Sequence, residues 1–149
     1  MEFNTARPEA PAAVLDTNVA LDWLLFGDAS VAPLGDAIST GRLRWLACPR
    51  MREEFSRVLQ YSQLVAHKPD SERLLTAYDR WARMVEAPVA LATNPACTDP
   101  DDQVFIDLAL ARGTRWLFTR DRALLKLARR VQPRGLDIVT PAAWRMESA

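Results

Sequence analysis

Five short apolar runs, at residues 12–15, 43–47, 89–92, 116–119 and 138–139, alternate with longer segments of helical periodicity. This alternation constrains the fold more than any other feature of the chain. Runs so short and so apolar read as strands buried on both faces. Neighbouring parallel strands need a crossover long enough to hold a helix, so strands alternating with helices imply an α/β layered fold around a mostly parallel sheet.

The intervening segments carry their own start and stop signals. Residues 19–26 place Val19, Leu21, Trp23, Leu24, Leu25 and Phe26 in a short helix that Gly27 ends. Residues 31–40 form a weaker helix before Gly41. Pro49 opens a clearer one over residues 51–60, with Met51, Phe55, Val58 and Leu59 along one face. Residues 61–69 read as a loop, with His67 a surface residue in it. Asp70 or Ser71 then caps a long helix whose apolar side runs through Leu74, Leu75, Tyr78, Trp81, Ala82 and Val85 until Pro88. Asp99-Pro100-Asp101-Asp102 is a helix start, and that helix runs to about Arg112 before Gly113. A further helix covers residues 123–130, and a final turn or helix follows Pro141.

A chain of 149 residues suits one domain and can bury a core without staples. Residues 1–11 have no apolar core and contain Pro8 and Pro11, so they read as a flexible tail before a single domain over 12–149. Only Cys48 and Cys97 are available for a disulfide and no CxxC spacing exists, which points to a reducing compartment. The single histidine excludes a multi-histidine zinc site. No targeting signal or bilayer-length apolar run is present, and a cytoplasmic location is expected, with no membrane partner.

The chemistry lies in the carboxylates. In open parallel sheets, ligands bind outside the carboxyl ends of the strands. Asp16 directly follows the first apolar run, and Asp121 follows the 116–119 run by two residues. Asp102 lies in the first turn of the helix leading into that run, and Glu54 lies on the Pro49 helix. A helix antiparallel to the strands starts at their carboxyl edge, so all four acids reach one edge. Such a group repels itself unless a cation intervenes. Oxygen ligands, with no histidine or cysteine nearby, favour Mg2+ or Mn2+ over zinc. That ion lowers the pKa of a bound water and stabilises charge on a phosphodiester. Each acid also has a plainer role open to it. Asp16 is a good N-cap, Asp101 and Asp102 favour a helix dipole, Thr119 or Asp121 can cap the next helix, and Glu54 can be a solvated helix acid.

LDTNV at residues 15–19, PRMREEFSRVL at 49–59 and CTDPDDQVFIDLALARGTRWLFTRDRALL at 97–125 resemble the PIN domain. Within that family they are most similar to toxins of toxin–antitoxin systems, the VapC-like ribonucleases. The resemblance covers roughly residues 12–141. It implies a three-layer α/β/α sandwich with a mostly parallel central sheet and Mg2+- or Mn2+-dependent cleavage of RNA. It places the four catalytic, metal-binding acids on Asp16, Glu54, Asp102 and Asp121, with Glu53 as the alternative to Glu54 if the register slips by one. Asn18 and Thr119 match supporting polar positions. Asp99 and Asp107 are further acids able to help through water, although Asp107 lies about 140° around the helix from Asp102. A protein antitoxin and a homodimer are further expectations from the family.

The formal net charge is zero, so only the distribution of charge can favour a polyanion. Residues 111–134 contain eight basic side chains against the single acid Asp121, a local charge of +7. Arg42, Arg44, Arg50, Arg52 and Arg57 form a second basic region. Either suits RNA or an acidic antitoxin segment, and the first also reads as the solvated face of a helix. Core packing is the expected role of Trp81 and Trp116, whereas Trp23 is a candidate for a partner groove or dimer face. Two other functions stay open. One is a metal-dependent phosphatase, although an aspartyl nucleophile usually has a second Asp two residues on, where this chain has Asn18. The other is a non-catalytic module that binds RNA or antitoxin.

Overall fold

The computed structural model describes residues 10–61, 66 and 69–146; His67 and most of the 61–69 loop lie outside them. Five strands form one parallel sheet: β1 (Ala12–Leu15), β2 (Arg44–Ala47), β3 (Ala82–Met84), β4 (Trp116–Phe118) and β5 (Asp137–Val139). Their order is β3-β2-β1-β4-β5. Ala13 and Val14 are wholly buried, and β1 has no exposed residue. A strand with no solvated side requires cover on both faces of the sheet, which gives the three-layer α/β/α arrangement.

The chain starts in the middle of the sheet, builds outward through β2 to β3, then returns to add β4 and β5 on the other side of β1. The reversal falls between β1 and β4, which pair as Ala13 with Trp116 and Leu15 with Phe118. Connections leave these two strands in opposite directions, so a crevice opens beyond their carboxyl ends. Asp16 N–H donates to the Phe118 carbonyl at 3.0 Å and Thr119 N–H to the Val139 carbonyl at 3.0 Å, which fixes both chains at that edge.

Helices α1 (Thr17–Leu24), α2 (Ala32–Ser39), α3 (Pro49–Val58) and α4 (Ser71–Trp81) belong to the β1–β3 half, and α1, α3 and α4 pack together. Aromatic rings fill this layer. Trp45 meets Tyr78 at 4.6 Å between ring centroids, Phe55 meets Tyr78 at 4.9 Å, and Trp23 bridges Trp45 and Trp81. Trp23, expected as a candidate for a partner groove or dimer face, is partly buried and packs on this aromatic layer. Helix α5 (Gln103–Ala111) packs on β1 and β4, and Trp144 folds back onto Trp116 and Phe118. Cys48 and Cys97 are buried and free. Among the described residues no helix is long and apolar enough to cross a membrane.

Three expectations about elements are corrected. The helix expected to reach Val85 stops at Trp81, and the next three residues form β3. Ala82 and Val85 have helical spacing, but the open edge of β2 offers backbone partners, including Val85 N–H to the Ala47 carbonyl at 2.8 Å. Sheet pairing overrides a weak helical preference there. Residues 89–92 form no strand; Val89 and Leu91 are exposed, so this apolar run is not buried in the sheet. The helix expected over 123–130 is two single turns, α6 (Arg122–Leu125) and α7 (Ala128–Val131). At the other end, Ala10 is buried and its carbonyl accepts from Arg44 Nε at 2.7 Å.

Candidate metal centre

Three helical starts converge on the crevice between β1 and β4, and an aspartate begins each. Asp16 Oδ1 accepts from Val19 N–H at 2.9 Å and opens α1. Asp121 Oδ1 accepts from Ala123 N–H at 2.8 Å and opens α6. Asp99 Oδ1 accepts from Asp101 N–H at 3.0 Å and opens the 3-10 turn Pro100–Asp102 that leads into α5. Capping and a site role are therefore compatible, because a carboxylate has about four acceptor sites and a cap occupies one of them. The converging N-termini also favour negative charge at this edge.

Thr119 connects two of the acids. It is fully buried, its hydroxyl donates to Asp16 Oδ2, and its oxygen accepts from Asp121 N–H at 3.0 Å. Glu54, on α3, accepts from the Thr17 hydroxyl. Asp102 is different: its Oδ2 is buried and has no hydrogen-bond partner among the described residues. Leaving such an acceptor unsatisfied costs about 1–3 kcal/mol, and more when it is charged. Carboxylate oxygens of Asp99, Asp102 and Asp121 lie within 4.8 Å of one another.

The electrostatics follow from this crowding. Burial pushes the Asp16 carboxyl up to about 6; the bonds from Thr119 and Val19 oppose the rise, and the charges of Asp121 and Asp22 add to it. Asp102 is pushed up to about 8, first by burial, then by the Asp121 carboxyl against it, with Asp99 and Asp16 contributing. Without a cation, the cluster therefore holds a proton near neutral pH.

Asp16, Glu54, Asp102 and Asp121 all line one open cavity of about 600 Å³. Asn18 lines it too, exposed at the N-terminus of α1. Asp99, expected in a helping role, is exposed and does not line this cavity, but a carboxylate oxygen of it lies within 4.8 Å of those of Asp102 and Asp121, while Asp16 and Glu54 are anchored by threonines. Glu53 lines a separate hollow with Pro49, Arg52, Ser56 and Met84, so it is Glu54 that faces the acids. Asp107 points elsewhere. It is buried and accepts from Asn94 Nδ2 at 2.9 Å and Gln103 Nε2 at 3.0 Å, which ties the segment around Asn94 to α5.

Sequence reasoning did not single out Thr17, Asp22 or Arg120 as members of the site. Arg120 lines the cavity with its guanidinium turned to buried Asp22, and Asp28 lies 4.0 Å away. The partners are far apart in the chain, and no local pattern marks them. The one available signal was the position of Arg120 between Thr119 and Asp121.

Comparison with protein families matches residues 12–123 to the PIN domain. The chain belongs to the PIN domain family. PIN domains are generally metal-dependent nucleases that act on RNA or other nucleic acid. The match begins with β1 and ends within α6, so this PIN domain completes its sheet with β5 and its core with Trp144 beyond the matched region. No curated protein matches the chain at a significant level. The residues present fit a divalent cation. Three carboxylates converge, one buried oxygen lacks a partner, and the arginine in the cavity is turned to Asp22 instead of to them. Hard cations with oxygen ligands satisfy such a set.

Proposed function

We propose that this PIN domain is an endoribonuclease that uses Mg2+ or Mn2+ to hydrolyse RNA phosphodiester bonds, and that it is the toxin of a toxin–antitoxin pair. The observation that carries the catalytic reading is the convergence of Asp99, Asp102 and Asp121 around the unpartnered Asp102 oxygen, at the strand-order reversal of the sheet. Asp102 and Asp121 would hold the cation, with Asp16, Glu54 and Asp99 beside them, directly or through water. When bound, the cation supplies charge stabilisation to the phosphodiester and activates water for attack.

The protein's own groups do the rest. Thr119 fixes Asp16 and the backbone before Asp121, and Thr17 fixes Glu54, so the acids are held before substrate arrives. Arg120, held by Asp22, presents a cation on the cavity wall that a phosphate must pass. Against the phosphatase reading stands Asn18, which occupies the position two residues after Asp16 where an aspartyl nucleophile usually has its second Asp. The toxin reading is supported by the resemblance and by the exposed basic residues Arg112, Arg122 and Lys126, which suit an acidic antitoxin segment.

The test is cleavage of a mixed RNA pool by wild type and Asp102→Asn, with Mg2+ or Mn2+ and with EDTA. Cleavage that needs the metal and vanishes in the variant supports the nuclease. Cleavage that survives both treatments, or no cleavage of any RNA class together with no metal binding, rejects it. Co-purification with the product of an adjacent gene, and loss of cleavage on its addition, tests the toxin role.

A further inference from the structure

A second groove, of about 170 Å³, adjoins the acid cavity and shares Glu54 and Tyr61 with it. Its other lining residues are Arg50, Arg57, Asp101 and Val104. Arg50, Glu54 and Arg57 stand at positions i, i+4 and i+7 of α3, on one helical face. The two guanidinium-bearing residues flank the acid, about 10 Å apart along the helix axis.

The arginines near the site differ in how far they are committed. Arg120 is tied to Asp22, and Arg52, on another face of α3, makes a two-pronged pair with Asp79 at 2.6 and 2.8 Å. Arg50 and Arg57 are exposed and have no hydrogen-bond or ion-pair partner among the described residues. Glu54 and Asp101 share the groove with them, so this is no bare cationic patch; Glu54 stands between the two arginines on α3. Tyr61, 47% exposed, belongs to the walls of both hollows.

We infer that this groove is a substrate subsite, in which Arg50 and Arg57 hold backbone phosphates of a single-stranded RNA next to the phosphate at the acids. The inference rests on the nuclease reading of the adjoining cavity. Guanidinium groups bind phosphate in a forked geometry, and uncommitted ones lose no existing partner when they do so. An aromatic ring at the junction offers a stacking face to a base. Bases in duplex RNA are already stacked and cannot be splayed onto it without cost, which favours single strands, loops and ends.

The test uses the full chain and a single-stranded RNA oligonucleotide of mixed sequence. Binding is measured in Asp102→Asn protein against salt concentration, and steady-state cleavage in protein with the native acids. In each background Arg50→Gln/Arg57→Gln is compared with Arg50→Lys/Arg57→Lys and with Arg73→Gln/Arg83→Gln. The last pair removes the same charge from exposed positions that line neither hollow. Losing two phosphate contacts should flatten the slope of log K against log salt by about 1.4, since each contact to a single strand contributes about 0.7. KM should rise roughly tenfold with kcat nearly unchanged, as when uniform binding is removed. The lysine pair should restore much of the salt slope, and duplex RNA of the same sequence should bind more weakly to wild type. An unchanged slope and KM, or an equal change in the Arg73/Arg83 control, overturns the subsite. Arginine-dependent binding without metal-dependent cleavage by wild type overturns the nuclease reading instead and leaves the groove as an RNA site. Tight binding of an acidic peptide with no arginine-dependent binding of RNA rejects the RNA subsite in favour of a protein partner.

Discussion

Thr119 and Asp16 are 103 residues apart in sequence and share a buried hydrogen bond, with the threonine hydroxyl donating to Oδ2. The contact joins the ends of β4 and β1, the two strands between which the chain reverses its order. Its other half is the bond from Asp121 N–H to the same hydroxyl oxygen, at 3.0 Å. One small side chain thus sets the position of two acids from different parts of the chain, and does so within the sheet edge instead of from a loop.

Replacing Thr119 by valine keeps the shape and removes the hydroxyl. Asp16 Oδ2 then faces a buried methyl group. The expected cost is about 1–3 kcal/mol of stability, the range for stranding a buried acceptor. Thr119→Ser retains the donor and should recover most of this. Metal affinity should also fall in the valine variant, because Asp16 becomes harder to ionise. Denaturant unfolding and titration with Mn2+ measure the two effects, and equal stability of the serine and valine variants would falsify the assigned role of the hydroxyl.

The raised carboxyls give the metal-free protein a defined pH dependence. In the unfolded chain Asp16 and Asp102 lose their protons near the ordinary value of 3.8, whereas in the folded protein they keep them up to about 6 and about 8. Between those limits the folded state binds more protons, so their contribution to stability is fully present below about 4 and is lost as pH rises through 6 and then 8. A cation that displaces these protons reverses the trend, and its stabilising effect should grow with pH. Melting curves across this range in EDTA and in Mn2+ should diverge at the alkaline end. Asp102→Asn isolates the contribution: it should melt higher than wild type at pH 8 in EDTA, by roughly 2–4 °C per kcal/mol of repulsion relieved, and should gain little from the metal.

The α/β class, the positions of β1, β2, β4 and β5, and the edge at which the acids gather were all legible, because these strands are mostly apolar and β1 and β4 run directly into polar residues at their carboxyl ends. Asp16 and Asp121 were visible as the first carboxylates after such strands. β3 was not visible. Its residues Ala82, Arg83 and Met84 have no strand signature, and only the open edge of β2 makes them one. The same limit applies inside the site. Nothing near Thr17 announces Glu54, 37 residues away, and nothing near Asp22 announces Arg120. Asp99 read as a helix cap, which it is, but its nearness to Asp102 and Asp121 depends on the 3-10 turn that the local sequence does not specify in detail.

The Arg120–Asp22 pair should respond unequally to loss of either partner. Asp22 is buried and its carboxyl is raised by that burial, against the pull of Arg120; the arginine side chain is 47% exposed. Arg120→Gln leaves a buried carboxylate without its cation, whereas Asp22→Asn leaves a cation that water can reach. The first should therefore cost more stability than the second. Both should impair cleavage, since the second releases the guanidinium from its place on the cavity wall. Paired thermal melts decide the order, and a larger loss in Asp22→Asn would mean that the pair is held for reasons other than burial of the acid.

Gly35 makes the layer of tryptophans possible. It lies buried in α2 with the indole of Trp23 directly against it, in the space where a Cβ would stand. Trp23 cannot retreat easily, because its ring is already set between Trp45 at 6.1 Å and Trp81 at 6.3 Å. In an exposed helix interior Gly→Ala is favourable by about 1 kcal/mol. Here overpacking, typically about 1–3 kcal/mol, opposes that gain and should exceed it. Gly35→Ala is therefore expected to be destabilised, and Gly35→Ala/Trp23→Leu to recover part of the loss by removing the ring. Since α1 carries Asp16 at its start and Trp23 near its end, a shift of the ring should also be felt at the acids, as a fall in Mn2+ affinity in the single variant that the double variant reduces. A single variant as stable as wild type would show that α2 can move away from α1 without consequence, and would remove the packing link between the aromatic layer and the site.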